Sequence, residues 1–182
     1  MKTIYLVHGF RENDAQTASL SFLKEPLEQA GHKVVIVDYG YVHRLRVRLC
    51  NSRLAKMLAS ISESEAIAIG HSNGCDIIRQ AADLGAFKDI ILFNPALDSD
   101  SEFSEHLENI SVFYSANDKA TTVARWIPFS SWGNMGAVGY EGPDSRVIDF
   151  DEEHITGKEM GHSDFSEYPS YFVPLVKLLC ED

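Results

Sequence analysis

One serine stands between two glycines in the run AIAIGHSNGCDII, residues 66–78, where an apolar stretch ends and a helical pattern begins. Gly70-His71-Ser72-Asn73-Gly74 fits G-x-S-x-G at a strand-to-helix junction, where the turn is sharp and the serine backbone strained, so that both flanking positions need glycine. Ser72 Oγ would then stand exposed at the carboxyl edge of a sheet as a nucleophile; the plainer alternative is a helix N-cap. A serine hydroxyl attacks a carbonyl only with a base in hydrogen-bond contact, a third group that fixes the base, and donors for the oxyanion that forms. The chain offers candidates for all three.

For the donors, VHGF at 7–10 ends an apolar run, and the glycine lets the backbone turn so that the Phe10 N–H faces the serine. The second donor is the Asn73 N–H, at a helix start where amides lack partners and the dipole favours negative charge. For the acid, VFYSANDKATTV puts Asp118 just past a strand, with a helix N-cap as its alternative role; Asp98 in FNPALD is the reserve. For the base, His162 in KEMGHSDF lies between the last strand and the last helix, and the preceding glycine gives that loop freedom. His154 competes, but FDEEH is an acidic, solvated stretch. His71 is expected to point away from the reaction centre and pack against the sheet.

These groups meet only if the chain folds as a parallel sheet with its strand ends on one edge. Strand-like runs fall at 3–9, 33–39, 65–71, 89–95, 110–116 and 146–150, alternating with helical periodicity at roughly 15–30, 44–61, 73–84 and 168–180. In the first helix Leu20, Leu23, Leu27 and Ala30 form the buried stripe, and Gly31 ends it. The pattern predicts an α/β fold: a single-domain, three-layer α/β/α sandwich over residues 1–182 with a mostly parallel six-stranded sheet. The order 2-1-3-4-5-6 would put the first and third strands side by side at the switch point, bringing the HGF turn next to Ser72. One irregular stretch, 124–145, is rich in Gly and aromatics and is a short lid or substrate loop, with Trp126, Phe129, Trp132 and Met135 as substrate-binding candidates. The same aromatics could instead simply pack the loop on the core.

Composition bounds the remaining choices. A chain of 182 residues suits one hydrophobic core, and a net charge of −11 argues against nucleic acid or anionic lipid as the main partner, leaving small molecules or proteins, with a small-molecule acyl substrate expected from the site. Cys50, Cys75 and Cys180 are scattered, without metal or redox spacing, and read as reduced thiols. No apolar run approaches the roughly 20 residues of a membrane span, so a soluble cytoplasmic protein is expected. Arg44, Arg46 and Arg48 cluster in HRLRVRL; a solvated helix start is preferred there over recognition of a carboxylate or phosphate. Phosphate-loop, dinucleotide and metal-ligand spacings are absent, so no cofactor and no metal is expected.

Taken jointly, HGF after strand one, GHSNG after strand three, Asp118 after strand five and His162 after strand six give the chain order Ser, Asp, His. With these features the sequence resembles the α/β-hydrolase superfamily, especially its small lipase-like and esterase-like members, over nearly the whole chain. It departs from them in lacking two strands at the amino end of the sheet and a large cap insertion after the fourth strand. The resemblance implies a serine hydrolase acting on an ester or thioester through Ser72, His162 and Asp118. Amide or C–C hydrolysis at the same site, and a binding protein that keeps the scaffold without turnover, are the alternatives.

Overall fold

The computed structural model describes residues 1–10, 19–40, 46–124, 126 and 132–181. Its β-branched runs form six strands: β1 (Thr3–Val7), β2 (Lys33–Val37), β3 (Ile67–His71), β4 (Asp89–Phe93), β5 (Asn109–Tyr114) and β6 (Val147–Asp151). They make one sheet in the order β2-β1-β3-β4-β5-β6, as the sequence predicts. Every neighbouring pair is parallel, so the sheet is wholly rather than mostly so.

A parallel sheet needs cover on both faces, and alternate residues of each strand supply two cores. Tyr5 and Val7, Ala68, Ile90 and Leu92 pack with α2 (Val47–Ile61) and α3 (Asn73–Ala82). Ile4 and Leu6, Ile67 and Ile69, Ile91 and Phe93 pack with α1 (Lys24–Gln29) and α7 (Pro169–Glu181). A slip of one residue in any central strand would exchange the two sets, so the register that aligns the strand ends is strongly specified. On the second face Phe93 stacks on Phe113 (4.4 Å) and on Phe165 (4.7 Å), which ties the segment after His162 to the middle of the sheet.

The first helix differs from expectation. Residues 15–18 lie outside the described residues; the chain then makes a turn and a 3-10 segment at Ser21–Leu23 before α1 begins. Leu20, Leu23 and Leu27 are buried as expected, but Ala30 is exposed, because it is the C-cap rather than part of the stripe. Gly31 follows at φ +90°, with Gly31 N–H donating to the Glu28 carbonyl and His32 N–H to the Leu27 carbonyl. That pairing is a Schellman ending, which needs a residue free to take positive φ. Three short helices were not predicted: α4 (Lys119–Ala124), α5 (Met135–Val138) and α6 (Glu152–Thr156). At four to six residues each, they are too short for a 3.6-residue period to register.

Candidate active site

Ser72 occupies the turn between β3 and α3 at φ 53°, ψ −119°, a conformation that side chains other than glycine rarely adopt. Such a backbone costs about 1–3 kcal/mol and persists only where its surroundings hold it. Here Ser72 N–H donates to the Phe93 carbonyl (3.0 Å), and its own carbonyl accepts from Cys75 N–H (3.1 Å) and Ala96 N–H (3.2 Å). The side chain makes no capping bond to α3, so the N-cap role is not the one Ser72 plays.

The glycine after it is required by contact. A Cβ on Gly74 would lie 2.3 Å from the Val7 carbonyl oxygen and 2.6 Å from that of His8, because the start of α3 presses directly on the end of β1. Gly74→Ala should therefore destabilise the fold by more than about 3 kcal/mol in denaturant unfolding, since backbone must move to admit the methyl. A loss under about 1 kcal/mol would show that the approach is not tight.

Asp118 and His162 form a direct pair. His162 Nδ1 donates to Asp118 Oδ2 at 2.8 Å, which in the neutral ring leaves the lone pair on Nε2. The other oxygen, Asp118 Oδ1, accepts from Thr121 N–H (3.0 Å) at the start of α4, so the carboxylate caps that helix while it also holds His162. Its carboxyl is fully buried, which by itself pushes the pKa up. The hydrogen bond and charge of His162, with the Thr121 amide and hydroxyl, outweigh burial and hold it below the ordinary carboxylate value. The stability this contributes is present above the ordinary carboxylate range and is lost as pH falls through the lowered value.

The loop bearing His162 is tied down rather than free. Ser115 Oγ donates to the Met160 carbonyl, Gly161 N–H donates to Asp164 Oδ2 (2.7 Å), and His71 Nε2 donates to the His162 carbonyl (3.0 Å). That last bond puts the proton on Nε2, and Nδ1 of the neutral His71 ring then accepts from the Ser19 hydroxyl (2.7 Å). His71 does pack edge-on to Phe165, 5.2 Å between ring centroids, but it serves the site by bracing the base's loop.

On the opposite side, buried polar groups brace the two expected oxyanion donors. The Tyr39 hydroxyl lies 2.8 Å from the His8 carbonyl and 2.9 Å from that of Gly9, holding the turn that ends in Phe10. The Asn73 side chain accepts from Asn51 Nδ2 and from Trp132 Nε1, both at 2.8 Å, and donates to Asn51 Oδ1 (3.2 Å) and to the Tyr39 hydroxyl (3.4 Å). One network thus spans both turns. As the first residue of α3, Asn73 has no acceptor for its N–H within the helix.

Ser72 and His162 line a cavity of about 340 Å³ whose remaining walls are mostly apolar: Phe10, Ala96, Trp132 and the inner side of α4. No protein-family model matches the sequence, and no curated protein does. Solved structures do match over the full length. A protein from Xanthomonas campestris pv. campestris placed in the alpha/beta superfamily of hydrolases aligns with a TM-score of 0.62 at 18% identity, covering 100% of this chain and 99% of that one. A methylesterase from Arabidopsis aligns at 0.59 and 13%, covering 98% of this chain and 99% of that one. Mouse alpha/beta hydrolase domain-containing protein 10 aligns at 0.60 and 13%, covering 97% of this chain and 90% of that one. The chain has the α/β-hydrolase fold.

In the α/β-hydrolase fold a serine on the strand-to-helix turn stands at the carboxyl edge of the sheet, and the order Ser, Asp, His follows along the chain. The structure brings Ser72, His162, Phe10 and Trp132 around one cavity, hydrogen-bonds Trp132 to the Asn73 side chain, and hydrogen-bonds Asp118 to His162. Asp98 and His154 are both exposed, and neither lines that cavity among the described residues.

The loop residues divide. Met135 is completely buried in the core beside α2 and α3 and is not a cavity residue, which corrects its assignment to the substrate. Trp126 is exposed and is not among the described lining residues, and Phe129 lies outside the described residues. The second half of the loop is bonded to the strand ends, with Met135 N–H on the Leu97 carbonyl, Gly136 N–H on the Pro95 carbonyl and Glu141 N–H on the Ser99 carbonyl. A Cβ on Gly136 would sit 2.8 Å from Asp118 Oδ2, so this glycine makes room for the Asp118 carboxylate. Arg46 and Arg48 are exposed and do not line the cavity; Arg44 lies outside the described residues. His71, Asn94, Asn51 and Tyr39 were not foreseen as supports of the site. Their partners are distant in sequence, so no local signal marks them.

Proposed function

We propose that the protein is a serine hydrolase that cleaves a carboxylic ester or thioester by way of an acyl-enzyme on Ser72. The observation that carries this is the strained Ser72 turn sharing one apolar cavity with a histidine whose Nδ1 is already bonded to a buried carboxylate. That its fold neighbours include a methylesterase agrees with this reading.

In the first half-reaction His162 Nε2 takes the Ser72 proton as Oγ attacks the carbonyl carbon, and the negative charge on the carbonyl oxygen is met by the Phe10 and Asn73 amides. The tetrahedral species collapses, His162 gives the proton to the leaving alcohol or thiol, and the acyl group stays on Ser72. Water gives a proton to His162 and attacks the acyl-enzyme, and His162 then returns that proton to Ser72 Oγ as the acid departs. Asp118 keeps Nδ1 as the protonated nitrogen throughout and stabilises the imidazolium. A cavity of about 340 Å³ with apolar walls suits a small, uncharged acyl group.

A fluorophosphonate probe tests the reading: it should modify the protein, and peptide mapping should place the adduct on Ser72. Folded protein that stays unlabelled, and turns over no member of a graded panel of acyl esters and thioesters, would favour a binding protein on this scaffold instead. The acid has its own signature. Asp118→Asn keeps the shape but favours the wrong imidazole tautomer, so kcat should fall by about 10⁴ with KM nearly unchanged. Asp98→Asn, at an exposed site, should be silent; a large loss there would move the acid to the β4 end.

A further inference from the structure

Glu152 opens α6 at the end of β6 and is completely buried, although it stands in the acidic stretch FDEEH. Its Oε1 is paired with Asn94: in the amide orientation that satisfies both neighbours, Asn94 Nδ2 donates to Glu152 Oε1 (3.0 Å) and to the His162 carbonyl (3.2 Å). The other oxygen, Oε2, has no hydrogen-bond partner among the described residues. The negative charges of Asp118, of Asp164 on the turn after His162 and of Asp151 at its own helix start all act on Glu152, and the Asp151 side chain is already held by Glu153 N–H and His154 N–H. Two carboxyls in one buried cluster do not both ionise cheaply, and an orphaned anionic oxygen costs more than an orphaned acid hydroxyl.

We propose that Glu152 is a positioning residue: held as a neutral acid, it fixes the Asn94 amide and through it the His162 carbonyl, and it leaves Asp118 as the one anion behind the imidazole. The role rests on the reading of His162 as the base. It completes the set of ties on the loop, because the His162 carbonyl then accepts from His71 and Asn94 together. Burial first, then the charge of Asp118, pushes the Glu152 carboxyl up to about 8, while Asp118 is pushed the other way; environments that split two acids in this manner assign them opposite protonation states.

Two variants separate shape from charge. Glu152→Gln keeps an acceptor for Asn94 without a titrating proton, and Glu152→Met fills similar space with no carbonyl acceptor. Labelling by a fluorophosphonate at pH 7 should stay within about threefold of wild type for Gln and slow by about tenfold or more for Met. The ¹⁵N-labelled His162 Nδ1–H resonance should be retained in Gln and lost or broadened in Met. Because the folded carboxyl holds a proton that the unfolded chain releases from its ordinary value of 4.5 upward, wild-type stability should fall as pH rises from there toward about 8. Glu152→Gln should escape that fall, matching wild type near about pH 4 and melting on the order of 5 °C higher at about pH 8.

If Glu152→Met does not fold, Asn94→Gly, which cuts the same link and suits the Asn94 φ of 43°, must show the same slow labelling and the same lost resonance. Met labelling as fast as wild type with its resonance intact would overturn the positioning role, and parallel melting curves for wild type and Gln would overturn the neutral acid. If wild type itself does not label, the hydrolase reading fails by that result alone, while the resonance and the melting curves still decide Glu152.

Discussion

Ser72→Ala is expected to remain folded and to lose on the order of 10⁶ in kcat, the scale at which only binding and the oxyanion donors are left. The folded state should survive because the hydroxyl caps nothing: what holds the turn is its backbone, through Phe93, Cys75 and Ala96. Alanine also carries the same Cβ at φ 53°, so the strain is neither relieved nor increased. Turnover of the best ester from the panel by the purified variant, with circular dichroism to confirm folding, is the measurement. More than a tenth of wild-type activity would remove Ser72 as the nucleophile.

His162→Ala should cost nearly as much, because nucleophile and base act as one unit and losing either approaches the loss of both. His154→Ala is the matched control. His154 is exposed on α6, where its backbone amide donates to Asp151 Oδ1. Its removal should change kcat/KM no more than a few-fold. The opposite pattern would place the base on α6 and leave the 2.8 Å bond between His162 and Asp118 as a structural pair.

What the sequence disclosed follows a physical rule. The sheet could be read because strands buried on both faces appear as continuous β-branched runs, and the strand order followed from where the motif residues had to meet. Ser72, Asp118 and His162 could be placed because each stands just beyond an element whose end was marked. Short-range chemistry failed where tertiary packing decides. FDEEH looked solvated throughout, and for His154 it is; Glu152, two residues earlier, turns inward, where its carboxyl pairs with Asn94 from beyond β4. Gly161 looked like a source of freedom, yet its N–H is bonded to Asp164. Met135 looked like a substrate contact, yet close glycine approaches at Gly133 and Gly136 draw that segment into the core.

Asp118 divides its two oxygens between the base and α4, and α4 forms one wall of the cavity. Under the proposed function, the wall that meets the substrate and the anchor of the His162 imidazole are therefore one mechanical part. On that reading, an acyl group bulky enough to press α4 outward would strain the carboxylate away from His162 as it settles, so a misfit would slow the chemistry before it lowered occupancy. In the proposed hydrolase, substrate size would be felt through Asp118, the carboxylate that turnover requires.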